Sequence, residues 1–289
     1  MAVSGAPTVR QRRLGAELRR LRAERTGDEV AEALGWSPSK VSRYELARTA
    51  PNVAEVAKLL DYYGVTGPHR EQVLALAVGA KQKGWWEAAS DALPEELAAL
   101  IALEDEASSS WMWAVEVIPG LLQIGEYARQ VISAAYQIGI PLLPSQIDQR
   151  VEVRLRRQNI LTRANPMEFS VVLDESVLLR RNTDTQVMRA QLLHLVEVSQ
   201  LPNVTVRVFP LQAPHPVVTS SFLLMKFGHA HGPELNDVVS TEQLQSNLYF
   251  EGEADTHQYR RAFQALYDAA LDPEQSRELI LRTSQQVWA

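Results

Sequence analysis

The chain has 289 residues, about twice a typical domain length, so two domains are the starting expectation. Its 46% hydrophobic and 22% charged residues give it an ordinary globular composition. The lack of cysteine excludes disulfides, thiolate metal sites and cysteine nucleophiles, and it suits a reducing cytoplasm, the expected location.

A long charge-free stretch, between Arg129 and Asp148, is broken by Gly139, Pro141 and Pro144. A membrane helix needs about 20 mostly apolar residues, so none is expected. The net charge of -6 conceals an asymmetry. Residues 1–84 carry 14 Lys and Arg against 9 Asp and Glu, whereas the remainder carries 15 against 26. A basic head on an acidic body suits a nucleic-acid reader joined to a separate domain.

Leu14, Leu18 and Leu21 recur at helical spacing among arginines, and Thr26-Gly27 breaks this first helix. Asp28 is expected to cap a short second helix that ends at Gly35. Ser37-Pro38 opens a third, because serine caps well and proline at the first helical position forgoes no needed hydrogen bond. Residues 47–51 close it, Asn52 caps a fourth, and a fifth follows the turn at 64–68. Five short helices thus form an all-α domain over residues 1–80.

Residues 81–92 read as a linker and residues 93–289 as a larger mixed α+β domain. Helices are expected over 94–108, 125–137, 145–163 (capped by Ser145), 175–180, 184–200, 255–270 and 273–286. Strands are expected over 111–117, 168–173, 204–209, 221–227, 237–240 and 247–250. The order lacks regular βαβ alternation, which favours α+β over a doubly wound sheet.

The stretch AEALGWSPSKVSRYE, residues 31–45, has the pattern of two helices crossing closely. Ala31 is small where the helices meet, Gly35 suits the turn, and Val41 anchors the third helix from within. Ser39, Lys40, Ser42 and Arg43 are left on its outward face. With LGAELRRLRAER before it and LARTAP after it, this region resembles the Xre/lambda-repressor-like helix-turn-helix family over residues 14–51, extending to about 80. The resemblance implies a domain that binds double-stranded DNA, with Ser39 and Arg43 at base edges. Ser37, Lys40 and Arg48 would hold phosphates, and Pro38 would offer an apolar contact. Three departures stand out: a short turn between the first two helices, Asp28-Glu29 where a glutamine often begins helix two, and Ala47 where glycine is usual.

In the remainder, LEDEAS, VIPGLLQIGEYAR, RLRRQNILTR, LDESVLLRR and SFLLMKF resemble a C-terminal domain that follows Xre-type modules in many actinobacterial regulators. That resemblance implies a transcriptional regulator often encoded beside a small partner protein in a toxin–antitoxin-like arrangement. His215, His229, His231 and His257 lack an accompanying i, i+4 ligand pair, so no metal or other cofactor is expected. Arg150, Arg154 and Arg157 share a helical face and admit two readings. They could clamp an anion or partner, or form salt bridges with Asp148, Glu152 and nearby acidic helices. No nucleophile elbow, phosphate loop or zinc-protease spacing is present, so no enzymatic activity is expected. The leading expectation is a sequence-specific DNA-binding regulator that dimerises, because one recognition helix reads only a few base pairs. The alternative is an antitoxin-like protein that sequesters a small partner and binds DNA to autoregulate.

Overall fold

Helix α1 (Val9–Arg22) buries Leu14 and Leu18 and is followed by α2 (Gly27–Leu34), α3 (Pro38–Glu45), α4 (Val53–Tyr63) and α5 (Gly67–Gly79). The computed structural model describes residues 9–80, 85–86, 93–135, 142–228, 236–243 and 247–289. The chain divides into two compact units. One holds α1–α5 together with α6 (Glu95–Glu106), and the other holds a sheet and the remaining helices. Most of the expected linker over 81–92 lies outside the described residues.

The caps of the first unit correct one expectation. Asp28 lies inside α2, and Thr26 is the N-cap: its hydroxyl accepts from the Glu29 N–H at 3.2 Å, and its own N–H donates to the Glu29 carboxylate at 2.6 Å. This reciprocal pair satisfies two otherwise orphaned donors, so Thr26 starts a helix rather than merely ending one. Asn52 and Glu55 repeat the arrangement at α4. Helix α1 ends at Ala23, which takes φ 52°, the left-handed conformation usually given to glycine.

Gly15 sets the spacing between α1 and α3. A Cβ there would lie 2.7 Å from the carbonyl oxygens of both Tyr44 and Glu45, backbone atoms that cannot swing aside. Arg22 reinforces the contact by pairing with Glu45 at 2.6 Å. On α1 the Glu17 side chain is excluded from solvent and meets Arg20 at 2.6 Å and His69 at 2.8 Å. Burial pushes its carboxyl up, but Arg20 and His69 overcome this and hold it below its ordinary range. Helix α6 joins the same unit through Arg10–Glu106 at 2.5 Å.

In the second unit the described residues form a six-stranded sheet: β1 (Ser109–Ala114), β2 (Glu168–Asp174), β3 (Val204–Phe209), β4 (Phe222–Lys226), β5 (Val238–Glu242) and β6 (Asn247–Phe250). The order is β3-β2-β1-β4-β5-β6. Strands β1, β2 and β3 are parallel, and the pairings from β1 through β4 and β5 to β6 are antiparallel. The fold is therefore α+β, as expected, but its parallel half is built from two helical crossovers. The first carries α7 (Gly125–Ala135) and α8 (Pro144–Arg157), and the second carries α9 (Ser176–Leu179) and α10 (Thr185–Val198). Helices α11 (Glu253–Ala269) and α12 (Pro273–Gln286) complete the unit. One sheet face packs Trp113, Val172, Phe209, Phe222 and Leu224 against Phe263 and Leu266 of α11.

Several boundaries differ from those expected. Strand β1 ends at Ala114 because the Val115 N–H leaves the ladder for the Ser221 hydroxyl, at 3.0 Å. Helix α8 begins at Pro144, with Leu143 as N-cap, so Ser145 lies within it rather than capping it. After Arg157 the chain tightens into a 3₁₀ turn over Gln158–Leu161.

Two outcomes follow for the first unit. Gly15→Ala should cost about 1–3 kcal/mol through overpacking against immovable backbone, read as a lowered denaturant midpoint. Glu17's depressed pKa favours folding fully above its ordinary value of 4.5, and this contribution disappears as the pH falls below it. Melting curves from about pH 5 to about pH 3 should therefore fall more steeply for the wild type than for Glu17→Gln.

Candidate nucleic-acid interface

Helix α3 is held from inside and open outside. Val41 and Tyr44 are buried, as are Val30 and Ala31 of α2, so the two helices meet through small and apolar side chains. Burying a valine of this kind contributes about 1.5–3 kcal/mol, enough to fix the rotation of so short a helix. Gly35 joins them at φ 66°, with the Trp36 N–H donating back to the Ala31 carbonyl at 2.7 Å. That rotation leaves Ser37, Pro38, Ser39, Ser42 and Arg43 exposed on one side.

The two helix N-termini differ. At α2, Asp28 and Glu29 occupy the first turn, and the Glu29 carboxylate is turned back onto the Thr26 N–H. At α3 the first turn carries no acid, and the Ser37 side chain caps no backbone N–H. The Ser37 hydroxyl lies instead 3.1 Å from that of Ser39, which the Arg43 guanidinium reaches at 3.5 Å. The exposed edge of α3 is thus a chain of hydroxyls ending in a cation.

The C-terminus of α3 resolves the departure at Ala47. Its backbone adopts φ 54° despite the side chain, the Ala47 N–H donates to the Tyr44 carbonyl at 3.1 Å, and the Arg48 N–H donates to the Arg43 carbonyl at 2.8 Å. This is the usual glycine-terminated helix ending made with alanine. It turns the chain so that Arg48 is exposed, and neither Arg43 nor Arg48 forms an ion pair among the described residues.

Lys40 is placed differently. Its ammonium pairs with Glu55 of α4 at 2.8 Å and sits 4.3 Å from the centre of the Trp36 ring. Glu55 also accepts from the Asn52 N–H at 2.8 Å. Burial raises the Glu55 carboxyl, but Lys40 and the Asn52 N–H outweigh it and hold it below the ordinary range. Fifteen residues separate Lys40 from Glu55, so helical spacing could not reveal the pair; the Asn52…Glu55 capping pattern was the nearest signal.

The three C-terminal arginines lie on α8, and Arg154 and Arg157 both reach the turn that holds Gly120. Arg154 donates to the Gln123 side chain at 2.7 Å, Arg157 is buried against Gly120, and Arg150 is half-buried. Around the same turn, Gln123 donates to the Ile118 carbonyl at 2.7 Å and Gln158 to the Gln123 carbonyl at 2.6 Å. Gln191 donates to the Leu122 carbonyl at 2.7 Å and accepts from the Ile124 N–H at 2.8 Å. Two of the three guanidinium groups therefore brace the turn after β1. His215 packs its ring on Trp113 and Phe209, His257 lies exposed on α11, and His229 and His231 lie outside the described residues. Among the described residues no group of three His, Asp or Glu side chains converges as metal ligands, and no helix is long and apolar enough to cross a membrane.

A buried small residue, a glycine turn and an exposed second helix define a helix-turn-helix domain, and a family model described as a helix-turn-helix domain matches residues 13–73. A second model, described as a domain of unknown function (DUF5753), matches residues 97–282. That match spans more than half of the chain, which belongs to the DUF5753 family and carries a helix-turn-helix domain ahead of it. No curated protein matches the chain.

The left-handed alanines give a paired test. Relieving the strain at the exposed Ala23 outweighs the extra chain entropy of glycine, so Ala23→Gly should stabilise by about 0.5–1 kcal/mol. Ala47→Gly should gain less, because it also gives up a buried methyl; chemical denaturation of the two variants measures the difference.

Proposed function

We propose that this protein is a cytoplasmic, sequence-specific DNA-binding transcriptional regulator of the Xre type. The observation that carries the reading is the outward face of α3. It presents Ser39, Ser42 and Arg43 to solvent while Ala31, Val41 and Tyr44 fix its orientation from behind. In this reading α3 enters the major groove, and Arg43 donates in bidentate fashion to a guanine edge. Ser39 also faces base edges, and Pro38 supplies an apolar contact. The acid-free first turn of α3, with Ser37, lies against one phosphate, and Arg48 against another. The Glu29 carboxylate at the start of α2 remains spent on its own helix.

The C-terminal domain is the receiver of a signal or of a small partner protein rather than a catalyst, with Arg154, Gln123, Gln158 and Gln191 engaged in bracing a turn. The protein acts as a homodimer, since two copies of so short a recognition helix multiply specificity across a palindromic site. The likeness of the C-terminal motifs to those of actinobacterial regulators keeps an antitoxin-like role as the second reading, to be separated by whether a small protein co-purifies in stoichiometric amount.

The reading is tested with the full chain by selecting duplexes from a random pool and titrating salt against the enriched sequence. Arg43→Ala should lose about 1–3 kcal/mol of preference at one base pair. A chain showing no salt-dependent duplex binding would falsify it.

A further inference from the structure

The DNA-binding reading leaves one cation on α3 with an unexpected disposition. Lys40 has the sequence position of a phosphate contact, yet three groups hold it against the protein. Glu55 takes its charge at 2.8 Å, Trp36 offers its ring face at 4.3 Å, and the centre of the Tyr44 ring lies 5.8 Å away. Trp36 and Tyr44 are themselves packed edge to face at 6.0 Å, so the ammonium rests on a built aromatic corner. Glu55 is equally constrained, because its other oxygen closes the N-terminal cap of α4.

We propose that Glu55 withholds Lys40 from the DNA backbone, making Lys40 a positioning residue that ties α3 to α4. Discrimination between sequences then falls to Arg43 with Ser39 and Ser42. The inference rests on the DNA-binding reading and assigns a use to a charge that reading leaves over. Phosphate contacts add affinity for every duplex alike and leave the ratio of specific to non-specific binding unchanged. An intramolecular carboxylate that retains one lysine therefore weakens attachment to every duplex, and makes release from non-specific sites easier, without touching the base-reading residues.

The test compares the full-length wild type with Glu55→Gln, Lys40→Met and the double variant. Glutamine can still accept from the Asn52 N–H, so Glu55→Gln keeps the α4 cap, and methionine keeps the aliphatic packing on Trp36. The readout is the slope of log affinity against log salt, on an enriched duplex and on a random one. Wild type and Lys40→Met should share a slope. Glu55→Gln should steepen it by about 0.9 and bind random duplex roughly eightfold more tightly at about 0.1 M salt, one added phosphate contact. The double variant should return to the wild-type slope. A slope that flattens by about 0.9 in Lys40→Met alone shows the lysine already on a phosphate and overturns the proposal, as does a Glu55→Gln slope equal to the wild type's. A wild type that binds no duplex instead removes the DNA reading and this arrangement together.

Discussion

At Gly15 the backbone of α1 runs so close to the end of α3 that a methyl group would meet two carbonyl oxygens at 2.7 Å. The rest of the helix-turn-helix domain is arranged around that contact. It brings Arg22 within reach of Glu45, fixing the C-terminal end of α3, while Glu55 and Trp36 hold its middle through Lys40. An eight-residue helix has little stability of its own, and its orientation comes from these neighbours. The side chains left outside are those that no neighbour uses.

The same chemical groups serve opposite ends in the two adjacent helices. The Glu29 carboxylate at the start of α2 turns back and completes a cap, whereas the first turn of α3 carries no acid. In the C-terminal domain, arginines on one helical face are drawn down onto the turn after β1, where Gln123, Gln158 and Gln191 already occupy the backbone groups. Whether a cation meets solvent or a neighbour decides its use, and charge counts alone cannot express this.

The helix-turn-helix was legible because its determinants are local: Ala31, Gly35, Pro38 and Val41 lie within a dozen residues and each answers to one geometric demand. The strands were individually legible from their apolar patterns. Their order was not, because the pairing of β1 with both β2 and β4 depends on contacts between distant segments. Thr26 was misread as a breaker although Thr26…Glu29 is itself a capping pattern. Gly15, the Lys40–Glu55 pair and the burial of Arg157 left no trace in spacing, since each is set by an element far along the chain.

The central position of β1 bears on how the chain is made. The strand carries Trp111 and Trp113, yet its parallel partner β2 is synthesised roughly 60 residues later and its antiparallel partner β4 roughly 120 residues later. At about 5–20 residues per second, β1 waits several seconds or more on the ribosome with both edges unsatisfied and its tryptophans unburied. The helical domain before it is built from near-neighbour contacts and can fold in that interval. The newborn protein therefore has a folded DNA-facing head well before its sheet can close, and β1 is the segment most exposed to chaperones or to aggregation in the meantime.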